Sequence, residues 1–570
     1  MRRATSLLLL AGSASAAFQF PFNLWPATNP PSPIEVTNIV NPQSPRVAII
    51  GAGAGGSSAA FWIAKAKERF GIDVEVDVYD RSNYIGGRST TVYPYNDSSY
   101  QPVELGASIF VNINKNLWRA SDEFNLPRYG FEDEEGELGF WDGESFQGGT
   151  KGFFGSFLDN IKVLWRYGYF SPKNTQNLVK DMADKFVKLY APEALKWENL
   201  TDISDAFEWD ELISQTASEY FRSHGVSEKF TNEVIDAMTL VNYAQDVDSI
   251  HALEAAASIA ASGAASIKGG NWQIFENFVH RSGARVFLNT NVTSISRKSP
   301  TTWTVATSQG AADYLAVILA APYHTSDISI PEDLAALIPK QPYVHLHVTL
   351  LATTAPTPNP AYFGLPAGAG VPTSVLTTLA GARKGGKAPE FNSLTYHGKL
   401  DEWVVKIFSM GPMSDEWLAD IFQGQVGWVL RKEWDAYPVL PPTNTFAPVK
   451  LDRGLFYVNA FEPFISTMET ETLASRNVVD WLLKEEFGAG ICTPPQSRAA
   501  ADEATIETDE IEKEIETESK AEDTPAAELQ LELEPETKTE VEADADAAVA
   551  EPVAIEEKPN VADFVYGWDC

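Results

Sequence analysis

A glycine-rich loop directly after an apolar run carries the clearest chemical signal in the sequence. Val47–Ile50 is typical of a buried strand, and Gly51, Gly53 and Gly56 follow it in the order Gly-x-Gly-x-x-Gly. In a strand–turn–helix unit these glycines allow a tight turn, a close approach of backbone N–H groups to a pyrophosphate, and close packing of the helix on the strand. The spacing therefore predicts a dinucleotide site. The alternative is an ordinary glycine-rich loop.

Asp80 and a second glycine turn strengthen this prediction. Asp80 ends the next predicted strand, at the distance expected of a carboxylate that accepts hydrogen bonds from a ribose. Gly86-Gly87-Arg88 follows, and a glycine turn with a cation suits a longer cofactor that is clamped from two sides. We therefore predict FAD as the cofactor. Its predicted binding residues are Gly51, Gly53, Gly56, Asp80, Gly87, Arg88, Gly106, Ala107, Val292 and Met468.

The two ends of the chain differ in composition from its centre. Residues 1–16 combine a basic start, a short apolar stretch and an Ala-x-Ala site, which is typical of a secretory signal peptide. The proline-rich residues 17–45 predict an extended lead-in. Residues 501–560 hold 22 Asp or Glu against 4 Lys, which predicts a disordered acidic tail over 491–570. The tail either binds an unknown partner or only adds solubility.

Composition also argues against several classes of partner. The net charge of −35 argues against nucleic acid and against an anionic membrane surface. No later stretch reaches the roughly 18 apolar residues of a membrane span. Cys492 and Cys570 lie beyond the predicted folded body, and the seven histidines are scattered rather than set at ligand spacing, so we predict no metal site.

Strand-like and helix-like segments alternate along the body of the chain. They predict an α/β fold in which a Rossmann-type FAD-binding domain is interleaved with an α+β substrate domain. Residues 131–230 have the amphipathic, aromatic pattern of a helical region, whereas 343–350 and 403–409 predict a second sheet. The predicted cofactor-domain segments are 46–130, 231–322 and 450–490, and the substrate-domain segments are 131–230 and 323–449.

Several segments resemble a known family. The order of the glycine motifs, Asp80 and a late strand–helix with Met468 resembles the amine-oxidase-like flavoproteins. The segments 241–245, 249–251, 269–271, 405–409, 432–438, 455–459 and 466–469 resemble the FAD-dependent prenylcysteine oxidase (prenylcysteine lyase) family, whereas 461–464 departs from it. The resemblance covers residues 46–487 in order. It implies oxidative cleavage of a prenylated cysteine by O₂ and water to cysteine, a prenyl aldehyde and hydrogen peroxide.

This resemblance directs attention to five further residues. His251 is a candidate for steering water or a structural histidine, and Lys406 is a candidate for a water-linked contact with the flavin. Glu462 either binds the substrate amine or caps the following helix. Tyr243 and Phe461 are predicted to line the substrate pocket. The implied partners are a small prenylated cysteine and O₂.

Two other functions remain open at this stage. The chain could be an FAD-dependent amine or amino-acid oxidase, or a flavin-binding secretory protein without catalytic activity. The signal peptide and the sequons at Asn96, Asn199 and Asn291 favour the secretory pathway, with a vacuolar, lysosomal or extracellular destination.

Overall fold

The computed structural model describes residues 44–130, 137–151, 165–260, 263–399, 402–495 and 564–570. The strands in these ranges are β1 (Arg46–Ile50), β2 (Glu75–Tyr79), β3 (Thr91–Val92), β4 (Val103–Glu104), β5 (Arg128–Gly130), β6 (Glu137–Trp141), β7 (Phe146–Lys151), β8 (Ala265–Ile267), β9 (Arg285–Phe287), β10 (Val292–Ser299), β11 (Thr302–Thr307), β12 (Gly310–Tyr314), β13 (Ala316–Leu319), β14 (Tyr343–Thr353), β15 (Ser374–Thr377), β16 (Ser393–Lys399), β17 (Trp403–Ser409), β18 (Val426–Pro438), β19 (Lys450–Asp452) and β20 (Leu455–Tyr457).

The α-helices in the same ranges are α1 (Ala54–Phe70), α2 (Lys115–Glu123), α3 (Phe170–Phe186), α4 (Leu200–Phe207), α5 (Asp210–Ser214), α6 (Ala217–Ser223), α7 (Glu228–Phe230), α8 (Asp236–Tyr243), α9 (Ala252–Ile259), α10 (Trp272–Ser282), α11 (Glu332–Ala335), α12 (Asp415–Ile421) and α13 (Met468–Phe487). None of them is both long enough and apolar enough to cross a bilayer.

Strand β1 lies near the centre of a six-stranded sheet with the order β19-β20-β13-β1-β2-β9. It pairs in parallel with β2 and with β13. Val47, Ala48 and Ile49 are fully buried, as expected for a parallel strand that is covered on both faces. Helix α1 follows β1 directly and packs against α10 and α13. The predicted Rossmann-type sheet is therefore confirmed.

A second, seven-stranded sheet has the order β18-β14-β17-β16-β15-β6-β7. Its strand β17 shows why alternation matters for the site. Val405 and Ile407 are buried in a core that also contains Leu418 of α12. Since successive side chains of a strand point to opposite faces, Lys406 and Phe408 project from the other face of the sheet, where they line a cavity.

Residues 137–151 correct one prediction. We expected helical structure throughout 131–230, but Glu137–Trp141 and Phe146–Lys151 form the antiparallel pair β6 and β7. Strand β6 also pairs in parallel with β15, a long-range contact that local periodicity does not report. Residues 131–136 and 152–164 lie outside the described residues. The segment 165–230 is mainly helical, as predicted, and the exact domain boundaries stay predictions.

The last seven residues correct another prediction. Cys570 forms a disulfide with Cys492, and Tyr566 is buried. The ring of Trp568 lies 5.0 Å from that of Phe61. Placing all of 491–570 in a disordered tail is therefore wrong for 491–495 and 564–570. The acidic residues between them, 496–563, lie outside the described residues, as do residues 1–43 with the predicted signal peptide and most of the lead-in.

Candidate active site

A cavity of about 960 Å³ is lined by residues of both large sheets. The six-stranded sheet contributes the loops that follow β1, β2 and β13, whereas the seven-stranded sheet contributes side chains of β14, β16, β17 and β18. This volume is at the upper end of the range for small-molecule sites. The cavity therefore brings the predicted cofactor motifs and the predicted substrate domain to one place.

The glycines after β1 have different structural roles. Gly51 has a φ of 110°, and a Cβ atom there would stand 2.3 Å from the carbonyl oxygen of Ala320. A Cβ atom on Gly56 would stand 1.8 Å from the carbonyl oxygen of Gly51, so α1 packs directly on the turn. Gly53 has room, because its nearest neighbour is the Cα atom of Gly87, at 3.7 Å. Gly51 and Gly56 shape the loop, while Gly53 and Gly87 leave backbone open to a ligand.

Asp80 ties the end of β2 to this loop. Its Oδ2 atom accepts a hydrogen bond of 2.7 Å from the backbone N–H of Ala52, and its Oδ1 atom accepts one of 2.7 Å from Ser82. Asp80 also lines the cavity. A carboxylate oxygen has more than one lone pair, so the side chain can still accept hydrogen bonds from a ligand.

Arg88 pairs with Glu462 across the cavity wall. The guanidinium donates to the Glu462 carboxylate and to the carbonyl oxygen of Ala436, and the hydroxyl of Tyr343 also donates to Glu462. Burial is the largest single effect on the pKa of Arg88 and lowers it, but the charge of Glu462, the Tyr343 hydroxyl and the hydrogen bond with Glu462 together outweigh burial and raise that pKa. Thr467, not Glu462, caps α13. The Glu462 carboxylate is thus paired with Arg88 and does not cap the helix, while a contact with a substrate amine stays a prediction.

The loop Gly106–Ser108 joins the cofactor motifs to β17. The backbone N–H of Ala107 donates to the carbonyl oxygen of Arg88 at 3.3 Å, and a Cβ atom on Gly106 would stand 2.8 Å from the ring of Trp434. Lys406 donates to the hydroxyl of Ser108 at 2.9 Å. A buried lysine therefore lies at the cavity, directly beside a loop predicted to face a flat ring.

Lys406 and Glu104 are an interacting buried pair. Burial lowers the pKa of Lys406, while the Glu104 charge opposes that shift. Burial raises the pKa of Glu104, while the backbone N–H of Asn271 and the charge of Lys406 oppose that shift. The pKa of Lys406 is thus lowered and that of Glu104 is raised, so the two values approach each other. Perturbed pKa values of this kind are common at functional sites.

Unpartnered polar atoms of lining residues form two groups. Near the glycine loops, Ser89 Oγ, Asn459 Oδ1 and Glu471 Oε1 are buried and have no hydrogen-bond partner among the described residues. On the side of the seven-stranded sheet, His397 Nε2 and Trp434 Nε1 are also buried without a hydrogen-bond partner among the described residues. Since buried polar groups are normally paired, both ends of the cavity are suited to a ligand with polar atoms.

Glu471 fits such a ligand particularly well. Burial and the negative charge of Glu462 raise its pKa well above the usual range, and Arg88 only partly opposes them. These effects favour the protonated, uncharged form of the carboxyl group, which can donate a hydrogen bond. In that form the group beside Gly55 does not repel a phosphate.

Three more predicted residues line the cavity. Val292 begins β10, Met468 begins α13, and Tyr243 ends α8. The Tyr243 hydroxyl donates to the carbonyl oxygen of Ser466 at 3.1 Å, just before the N-terminus of α13. This helix end carries partial positive charge, which favours an electron-rich group in the cavity.

Three predicted residues are not among those that line the cavity, namely Gly56, which shapes the loop, His251 and Phe461. His251 caps α9: its Nδ1 atom accepts from the backbone N–H of Glu254 at 3.2 Å, and its Nε2 atom lies 3.2 Å from the Pro463 carbonyl oxygen. Burial lowers its pKa to about 4. Phe461 is fully buried against Trp197 and Phe464. His251 is thus the structural histidine of our two alternatives, and Phe461 is a core residue rather than a pocket residue.

Sequence reasoning also missed residues that the cavity contains. Ser108, His397, Asn459 and Glu471 line it, and none of them was among the predicted site residues. Asn459 and Trp434 lie in segments that carried the family resemblance, which was a usable signal. Burial of an acidic residue such as Glu471 cannot be read from an exposed-looking Met-Glu-Thr-Glu stretch.

Comparison with known proteins identifies the family. The prenylcysteine lyase family model matches residues 155–489, and a NAD(P)-binding Rossmann-like domain matches residues 49–124. The chain belongs to the prenylcysteine lyase family. The family that the sequence motifs predicted is therefore confirmed.

Individual relatives agree with this assignment. A farnesylcysteine lyase of Arabidopsis thaliana is 30% identical over 453 residues, which cover 76% of this chain and 87% of the relative. Prenylcysteine oxidase 1 of Homo sapiens is 27% identical over 467 residues, with coverage of 76% and 87%. Wild-type putrescine oxidase bound to putrescine has a TM-score of 0.53 at 17% identity and covers 77% of this chain and 99% of its own, which shows a shared fold.

Proposed function

We propose that this chain binds FAD in the cavity and oxidises the thioether carbon of a prenylated cysteine. The observation that carries the proposal is the continuity of one cavity from the glycine loops at Gly53 and Gly87 to the buried Lys406. Family membership supports the substrate, because relatives are named farnesylcysteine lyase and prenylcysteine oxidase 1.

The proposed reaction balances with water and O₂ as co-reactants. The prenyl carbon bonded to sulfur loses two electrons, its bond to sulfur breaks, and water supplies the aldehyde oxygen. O₂ takes up two electrons and two protons and becomes hydrogen peroxide. The products are a prenyl aldehyde and free cysteine. When bound, FAD supplies the two-electron acceptor for hydride from this allylic carbon, where sulfur and the double bond spread positive charge.

The chain's own groups fit FAD at the glycine end. The open backbone at Gly53 and Gly87 accommodates a pyrophosphate, and the N-terminus of α1 favours negative charge there. The unpartnered Ser89 hydroxyl and the neutral Glu471 carboxyl can donate hydrogen bonds to it. Asp80 is placed to accept hydrogen bonds from a ribose.

The other end of the cavity suits an uncharged chain. Its lining includes Val241, Ala257, Phe408, Trp434 and Ile465. Each buried CH₂ group of a prenyl chain contributes about 0.8 kcal/mol. We therefore expect binding to depend mainly on apolar contact, with polar recognition confined to the cysteine end.

Lys406 and His397 are the groups that can handle water here. The Lys406 ammonium has three donors, and the contact with Ser108 uses one of them, so the others can hold a water molecule. His397 is neutral near pH 7, because burial and then the charge of Lys406 lower its pKa to about 4. Its unpartnered Nε2 atom can accept a hydrogen bond from water. A weak base of this kind suffices, since hydride loss leaves a strongly electrophilic carbon.

A substrate panel tests the proposal. Purified protein is incubated with farnesylcysteine, S-methylcysteine, putrescine and free amino acids, and peroxide, aldehyde and thiol are measured. We expect rapid turnover of farnesylcysteine alone, with one peroxide for each aldehyde. Faster oxidation of putrescine or of an amino acid would replace this proposal with an amine or amino-acid oxidase. Aldehyde or prenol release without peroxide would exclude an oxidase.

We also propose that the protein works in the secretory pathway, in a vacuolar, lysosomal or extracellular compartment. The leader-like composition of residues 1–16 supports this, and so does the Cys492–Cys570 disulfide, since such bonds persist in oxidising compartments. N-terminal sequencing of the protein from a eukaryotic host is the test. A mature chain that retains residues 1–16 would contradict it.

A further inference from the structure

Two histidines and two carboxylates lie on one face of the seven-stranded sheet. His345 and His347 are two residues apart on β14, so their side chains share a face. The antiparallel register places Glu433 of β18 opposite His347 and Asp435 opposite His345. The sequence prediction of no metal site did not consider this group, because its carboxylates come from another strand and only the register brings them to the histidines.

Three atoms of this group are arranged like metal ligands. His345 Nε2 and His347 Nδ1 each lie 3.7 Å from Glu433 Oε2. All three ligand atoms lie within 4.8 Å of one another. In a tetrahedral zinc site with bonds of about 2.1 Å, ligand atoms are roughly 3.4 Å apart. Small rotations of the side chains are therefore enough to close the site.

Exposure of the side chains makes those rotations easy. The side chains of His345 and Glu433 are 56% and 66% exposed, whereas that of His347 is 18% exposed. His347 thus provides a fixed ligand, and the other two can move without repacking the core.

Asp435 supplies the outer contact that metal-binding histidines usually have. His345 Nδ1 lies 3.2 Å from Asp435 Oδ1. An N–H at this position donates to the carboxylate and leaves the lone pair of Nε2 facing Glu433. A carboxylate that orients a histidine in this way fixes its tautomer and increases its basicity as a ligand.

The nearby cations are held elsewhere. Arg431 donates to the carbonyl oxygen of Met413 and to Asp415. Lys432 lies on the opposite face of β18, with its ammonium 5.6 Å from the centre of the Trp434 ring. The two carboxylates therefore keep their negative charge available to a cation.

We propose that His345, His347 and Glu433 bind a Zn²⁺ ion and that Asp435 orients His345. Two imidazoles and a carboxylate are the donor set that zinc accepts with a fourth position left open. His347 and Glu433 do not line the cavity, and the ligands lie on the face of β14 and β18 opposite Lys432, so the site is separate from Lys406 and the glycine loops. The site stands on these contacts alone and does not depend on the proposed oxidase activity.

The test measures zinc binding by tag-free, full-length protein after removal of metals by a chelator. Titration calorimetry with ZnCl₂ is compared between the wild type and a His345→Ala/His347→Ala double variant. The variant keeps the acidic segment, so any weak binding of cations there is the same in both. We expect about one equivalent of tight Zn²⁺ in the wild type only. Equal binding by both proteins would overturn the proposal.

Two further measurements separate the roles of the residues. Asp435→Asn keeps all three ligands and should weaken Zn²⁺ binding by about 10–100-fold, as losses of outer contacts do. Unchanged affinity would remove Asp435 from the site. Co²⁺ in place of Zn²⁺ should give the visible bands of a four-coordinate ion, at wavelengths beyond flavin absorption. Only the weak bands of six-coordinate Co²⁺ would contradict the proposed geometry. The melting temperature of metal-free Asp435→Asn should match that of the wild type, because this side chain is half-exposed and keeps its shape.

Discussion

Opening the Cys492–Cys570 disulfide should destabilise the whole cofactor-binding body. Residues 564–570 pack on it closely: Arg69 donates to the carbonyl oxygens of Gly567 and Trp568, and Tyr566 donates to Asp480. The bridge joins residues 78 positions apart. For a closed loop of that length, the chain-entropy relation gives a stabilisation of about 4.5 kcal/mol.

The assay is thermal unfolding of Cys570→Ser. A cooperative unit of several hundred residues has an unfolding entropy of roughly 1 kcal/mol per degree, so the loss corresponds to a fall in Tm of about 4–5 °C. Cys492→Ser and the double variant should fall equally, since each change removes the same bond. Wild-type protein should lose the same amount in a reducing buffer. A Cys570→Ser protein that melts within a degree of the wild type would refute the reasoning.

A matched deletion separates the bridge from the acidic segment. Removing residues 505–555 keeps both cysteines and shortens the loop to about 27 residues, which lowers the entropic stabilisation by only about 1 kcal/mol. Trp568→Ala keeps the disulfide but removes a partly buried ring that packs on Phe61 and Trp62, and it should cost less than the roughly 3–5 kcal/mol of a fully buried aromatic residue. If the internal deletion were as damaging as Cys570→Ser, stability would depend on the acidic segment instead.

Three other substitutions test the residues of the cavity, and a fourth tests the pH dependence of stability. Gly53→Ala should preserve Tm but lower flavin retention, whereas Gly51→Ala should lower both, because its Cβ atom would clash with Ala320; flavin absorbance per protein and melting curves check this. Lys406→Met should lower kcat at an unchanged KM, and rapid mixing with O₂ shows whether the oxygen step is the one slowed; equal rates in both half-reactions would make Lys406 structural. Glu254→Gln tests pH dependence. Burial raises the pKa of Glu254 to about 7, so the folded state holds a proton that the unfolded state loses, and wild-type stability falls as pH rises from about 4.5 to 7. The variant should remove about 3 kcal/mol of that fall, measured by denaturant unfolding at pH 5 and 8.

The parts of the fold that sequence predicted are those whose residues are close together in the chain. The β1 strand, Gly51 to Gly56 and α1 form one continuous unit, and Asp80 ends the next strand, so local pattern was enough. Strands β6 and β7 were missed because β6 is held by pairing with β15, more than 200 residues later. The Cys492–Cys570 pair was missed for the same reason. A long acidic segment separates the two cysteines. The composition of that segment does not show that the residues after it pack on the folded body.

In the candidate site, too, local sequence predicted single residues but not the contacts between residues that are distant in the chain. Arg88 was predicted from a short motif, and Glu462 from a late strand–helix, but their pairing joins positions 374 residues apart. That pairing decides what each residue can do. The Glu462 carboxylate pairs with Arg88 and accepts a hydrogen bond from Tyr343. Together with burial, its negative charge raises the pKa of Glu471, which favours a protonated donor beside the glycine loop. The cofactor end of the cavity therefore depends on an ion pair that only the folded chain creates, which is why residue type and spacing located the site but could not assign its roles.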